Sequence, residues 1–155
     1  MTLPITLPIL HKLISISHNI STSAYETFLV SAKFSLMFHA FLQIGKVTSS
    51  PHNIQFSQLA ISNQITLQFN SFKHHTGPPF SLHIPRSQSS SYCPVQLMSY
   101  YIAARGRSPG PLFCYMDLQP ISPQRFRAIL KLALARANIQ TQNLTPHSFC
   151  IGAAT

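Results

Sequence analysis

Two short stretches carry the side chains of greatest chemical reach: Lys73-His74-His75, and His147 with Cys150 three residues on. Lys73-His74-His75 precedes the turn signal 76–79 (TGPP), so it sits at a hairpin tip, where an ammonium and two imidazoles can approach a phosphate. An exposed turn with no role accounts for the same residues equally well. His147 follows Thr145-Pro146, a helix-start signal, and an imidazole at a helix start can hydrogen-bond to a bound phosphate. Paired-carboxylate catalysis and a hard-metal site are argued against by the supply of acids, which is Glu26 and Asp117 alone. His74, His75, His147 and Cys150 have the atom types of zinc ligands but no recurring pair spacing, so neither a metal nor a cofactor is expected. No glycine-rich phosphate loop and no G-x-S-x-G elbow is present.

The charge balance points to a polyanionic partner. Eleven Lys and Arg against two acids give a formal charge of +9 over 155 residues, a field that attracts nucleic acid first. Only 8% of residues are charged while 45% are hydrophobic, so the chain can bury enough surface to fold, and self-association or aggregation is a further expectation. The cysteines Cys93, Cys114 and Cys150 are odd in number and widely spaced, which fits an intracellular, reduced setting better than a disulfide framework. The apolar start MTLPITLPIL is broken by Pro4 and Pro8 and lacks a basic lead, so it does not read as a secretory signal.

These residues must be positioned by elements of two periods. Apolar residues between 7 and 16 predict a short helix, followed by a polar linker at 17–23 (SHNISTS). A second helix is expected over 24–44, apolar on most sides, with Gly45 as its stop. Its apolar stretch 27–45 has the length of a membrane span, but Lys33 and His39 near the middle favour a buried core helix. Three alternating runs, 54–61, 65–69 and 80–84, predict a small antiparallel sheet. Pro94 opens a helix that the segment 105–111 (RGRSPGP) ends, and 112–115 reads as a short extended piece. Ser122-Pro123 then starts the clearest helix, with Phe126, Ile129, Leu130, Ala133 and Leu134 on one face and Gln124, Arg127 and Lys131 on the other. The expected fold is α+β and mainly helical: one domain over 1–155, with a lead-in and first helix at 1–23, a core helix at 24–45, a three-stranded sheet at 54–85 and a helical part at 94–155.

Five separated segments, in order, resemble the catalytic domain of tyrosine recombinases, and most of all the integrase-like proteins of animal mobile elements. They are 4–13 (PITLPILHKL), 73–80 (KHHTGPPF), 93–96 (CPVQ), 105–114 (RGRSPGPLFC) and 146–155 (PHSFCIGAAT). The resemblance implies DNA strand cleavage and rejoining through a phosphotyrosine. A tyrosine attacks the phosphate, two arginines clamp its oxygens, a hairpin lysine protonates the leaving 5'-oxygen, and a histidine stands three residues before the second arginine. Bidentate guanidinium donors are what a phosphate gaining negative charge calls for.

Carried over by position, the roles fall on a depleted set. Lys73 takes the place of the leaving-group acid, with Phe72 before it where serine is more usual, and His147 takes the place of the histidine. Gln43 and Cys150 stand where the two arginines belong, and Lys46 stands where a glutamate is usual; each change is one transition from the family residue, as in a site decaying without selection. The later His or Trp and the nucleophilic tyrosine have no counterpart before Thr155. Tyr25, Tyr92, Tyr100, Tyr101 and Tyr115 all lie in the wrong elements to replace that nucleophile.

The resulting expectation is a C-terminally truncated, catalytically inactive recombinase domain. It would keep weak, non-specific, salt-sensitive DNA binding through Lys46, His74, His75, Arg105, Arg107, Arg125, Arg127 and Lys131. Some of the helical cations would be no more than a solvated face. An intracellular setting, the nucleus included, goes with that reading. The competing expectation is a non-enzymatic interaction or membrane-associated protein using the Phe-rich helix 24–44 and a core face left open where the last helices are missing.

Overall fold

The computed structural model describes residues 4–44, 54–69, 80–88, 91–140, 144–145 and 148–149. Helix α1, Leu7–Ile20, starts at Thr6, whose Oγ1 accepts the Ile9 amide at 3.5 Å, with Pro8 in the first turn. It runs past the residues expected to form a linker. The serines there satisfy their hydroxyls on carbonyls one turn back, Ser17 on Leu13 at 2.9 Å and Ser21 on Ser17 at 2.6 Å, so a polar run continues the helix instead of ending it.

Helix α2, Ala24–Ile44, has the predicted bounds, and Gly45 lies outside the described residues. Ser23 Oγ accepts the Glu26 amide at 3.1 Å, and Glu26 places negative charge in the first turn, where the helix dipole favours it. From Leu29 to Phe38 every residue is buried, so α2 forms the axis of the core, packed on α1 and on helix α3, Pro94–Arg105. Each fully buried Leu or Phe here contributes about 1.5–3 kcal/mol of transfer free energy. No described helix is long and apolar enough to cross a membrane.

Strands β1 (Leu59–Ile61), β2 (Gln64–Phe69) and β3 (Phe80–Pro85) form an antiparallel sheet in sequential order. Leu59 pairs with Leu67, Ile65 with Ile84 and Leu67 with Leu82. That register puts Ile65, Leu67, Phe69, Leu82 and Ile84 on the buried face, and on the other face His83 Nδ1 lies 3.2 Å from both Thr66 Oγ1 and Gln64 Nε2.

The first predicted strand is corrected to its last three residues. Phe56–Gln58 form a 3-10 turn, with Gln58 Oε1 on the Gln55 amide at 2.8 Å. The segment before it pairs with the loop after α3: Phe56 N–H donates to the Gly110 carbonyl at 2.8 Å, and Leu112 N–H donates to Ile54 at 2.9 Å. The alternation at 54–58 therefore reports contact with a loop some fifty residues away rather than membership of the sheet.

Helix α3 starts after Cys93 with Pro94 at its first position and ends at Gly106, whose φ of 84° suits glycine. The chain returns through Leu112, Phe113 and Cys114, all buried, and a bridge between Cys114 and Pro120 closes a turn. Helix α4, Pro123–Arg136, begins as predicted, Ser122 Oγ accepting the Arg125 amide at 3.0 Å. Beyond it, Ser148 and Phe149 are helical. Phe149 reaches the core against Phe34 (centroids 6.0 Å) and Phe126 (6.4 Å), while Ile5 N–H donates to the Ser148 carbonyl at 2.9 Å.

Candidate nucleic-acid interface

Helix α4 builds the most extended cationic surface among the described residues. Phe126, Ile129, Leu130, Ala133 and Leu134 are buried, and this alone forces Arg125, Arg127 and Lys131 outward, where all three are exposed. Arg127 and Lys131 are one turn apart on one edge of the free face, and Arg125 lies on the opposite edge. Arg136, also exposed, falls three turns beyond Arg125 on the same edge. Sequence reasoning passed over Arg136, although its spacing from Arg125 signalled the shared edge. Guanidinium and ammonium groups spread along such a face can meet successive phosphates.

The two arginines of the 105–111 loop divide in role. Arg107 is exposed. Arg105, grouped on sequence with the DNA-facing cations, is buried, and its guanidinium is spent on the loop that follows it. Nη2 donates to the Pro111 carbonyl at 2.7 Å, Nη1 to Ser108 at 2.8 Å and to Gly106 at 3.0 Å, and Nε to Leu112 at 3.1 Å. Its carbon Cζ stands 4.4 Å from the Phe56 ring centroid. A buried guanidinium needs acceptors, and this loop supplies them as backbone carbonyls. Arg105 thus organises the loop that follows it instead of presenting its charge to solvent.

The tyrosines of the core are likewise committed to the backbone. Tyr101, fully buried, donates its hydroxyl to the Leu112 carbonyl at 2.8 Å and accepts the Cys114 amide at 3.0 Å. Tyr25 donates to the Cys114 carbonyl at 2.6 Å. Burial pushes both phenols above their ordinary value, the reverse of what an activated nucleophile requires. Tyr92 stacks on His11 at 4.1 Å, with its hydroxyl 2.9 Å from Ser15 Oγ.

Two titratable groups of α2 lie inside. Lys33 is 1% exposed, its Nζ 4.7 Å from the Phe126 ring centroid and 5.6 Å from that of Phe113, and burial lowers its pKa to about 7. His39 packs edge-on against Phe38 at 5.2 Å; burial, with a smaller effect of the His11 charge, lowers its pKa to about 4. Among the described side chains of this helix, Phe34 and Phe38 are buried in the chain's own core and Phe28 is half-buried.

Of the remaining sequence-derived site residues, Lys46, Lys73, His74, His75, His147 and Cys150 lie outside the described residues, and Gln43 is placed only as backbone in the last turn of α2. The site residues given with their side chains are therefore the arginines at 105, 107, 125 and 127 and Lys131. Among the described residues no group of three or more His, Cys, Asp or Glu could hold a metal ion.

A mainly helical α+β fold, with a small antiparallel sheet set between two helical parts and a basic helix at its surface, defines a tyrosine-recombinase-like class of structure. The solved structure it resembles is the XerH site-specific recombinase bound to its difH substrate in a pre-cleavage complex, at a TM-score of 0.66 and 12% sequence identity. The likeness covers 99% of this chain and 42% of that one, so the chain spans well under half of the recombinase it resembles. No protein-family model matches the chain, and no curated protein does.

Proposed function

We propose that this chain is a DNA-binding domain of tyrosine-recombinase descent that holds duplex DNA through its phosphates and does not cut it. The observation that carries the reading is the exposed cationic face of α4 and Arg107 on a recombinase-like fold with a net charge of +9. Lys46, Lys73, His74 and His75 are further candidate cations in the sequence, and phosphate contacts are sequence-indifferent and salt-sensitive.

Catalytic silence rests on the residues that would have to act. Gln43 and Cys150 stand where the resemblance calls for arginines, and a carboxamide or thiol offers a phosphate neither charge nor a bidentate fork. Lys73 and His147 are then remnants of a site, able to touch a phosphate but without the paired guanidinium clamp. Tyr25 and Tyr101 already bond the backbone, so neither hydroxyl is free to attack. Incubation with a nicked suicide duplex, read by a denaturing gel, tests this: bound DNA without a covalent adduct is expected, and a tyrosine-linked adduct overturns it.

A further inference from the structure

We propose that the chain associates with itself by inserting the Met116-Asp117-Leu118 turn of one copy into the cleft rimmed by Arg107 on another. The contact does not depend on DNA.

The turn is built to stand out. Tyr115 N–H donates to the Gln119 carbonyl at 2.9 Å, Leu118 N–H to the Tyr115 carbonyl at 2.9 Å, and Gln119 N–H to Asp117 Oδ1 at 3.1 Å, above the bridge of Cys114 to Pro120. These bonds hold Leu118 at a φ of 66°, a conformation costing a bulky residue about 1–2 kcal/mol. The result is an apolar tip in water: Met116 is 79% exposed and Leu118 39%.

The cleft sets apolar side chains beside a cation. It measures about 310 Å³ and is lined by Phe56, Leu59, Ala60, Ile61, Ile102 and Arg107. An unbranched thioether is suited to an irregular apolar gap.

Charge selects a second copy of this chain as the occupant. At a net +9, copies repel at long range, and a surface bearing an acid offsets this where it meets a cation of another copy. There are two acids. Glu26 belongs to the first turn of its own helix and accepts the Thr22 hydroxyl at 3.2 Å. Asp117 is exposed, uses one oxygen on Gln119, and is flanked by the apolar pair; with Met116 on the floor it can meet Arg107 at the rim. Tip and cleft are different patches, so the contact is heterologous.

Sedimentation velocity on the full chain without DNA, at about 0.15 M salt to screen the net repulsion, tests this. The tip variant Met116→Ser/Asp117→Ser and the cleft variant Arg107→Glu change exposed side chains, so circular dichroism should match the parent. The parent chain is expected to associate, each variant alone to be monomeric, and their equimolar mixture to form dimers through the intact tip of one and the intact cleft of the other. A monomeric parent chain overturns the proposal. So does association that survives both variants, which would place the contact on another face, and so does a mixture that stays monomeric.

Discussion

Lys33 Nζ lies 4.7 Å from the centroid of the Phe126 ring, joining the middle of α2 to the first turn of α4 with an amine that is 1% exposed. With its pKa lowered to about 7 in the fold against 10.5 when solvated, the unfolded chain holds a proton between those values that the folded chain has given up. Stability from this group is therefore complete above pH 10.5 and is lost as pH falls toward 7, with a slope approaching about 1.4 kcal/mol per unit inside the window. Urea unfolding between pH 7 and 10 should show the rise, and Lys33→Met should flatten it while raising stability at pH 6.

His39 supplies a second, separate window. Its pKa is lowered to about 4 from 6.5, so its contribution is present above pH 6.5 and is lost as pH falls through 4. His39→Gln should leave the alkaline slope of the parent chain intact and reduce the loss of stability between pH 6 and 4, measured by the same unfolding curves.

Arg105→Lys replaces four carbonyl-bound nitrogen–oxygen geometries with one ammonium that cannot reproduce the fork. A loss of about 2–3 kcal/mol of unfolding free energy is expected. DNA affinity of the folded fraction should change far less than in Arg127→Gln. Equal losses of affinity in the two variants would mean that Arg105 also faces the ligand.

Tyr101→Phe keeps the ring and removes the hydroxyl, leaving the Cys114 amide buried without that acceptor. About 1–3 kcal/mol of destabilisation is expected in thermal or urea unfolding. A neutral outcome would show that the amide finds another acceptor.

The parts of the fold legible in the sequence are those set by neighbours in the chain. Ser122-Pro123 marked the start of α4 because cap and first turn lie within three residues, and α2 was legible because an all-round apolar run of its length can only be buried. Ser17 misled because its hydroxyl partner, the Leu13 carbonyl, exists only once the helix does. The strand expected at 54–58 and the exposure expected of Arg105 gave way for one shared reason. Both are decided by the loop at 106–112, whose carbonyls and amides meet Phe56 and Arg105 only after α3 has brought them together. On the candidate interface, helical spacing alone put Arg125, Arg127 and Lys131 outside, since the buried face of α4 left them no other direction.

The central claim, phosphate binding through α4, is tested most directly by the salt dependence of duplex affinity. Fluorescence anisotropy of two unrelated labelled duplexes, titrated from about 50 to 200 mM salt, should give a linear fall of log K with log salt at the same slope for both. Arg127→Gln/Lys131→Gln should reduce that slope by about 2, since each phosphate left without its cation accounts for about 0.9. A flat salt response, or a slope that the double variant leaves unchanged, would contradict the account.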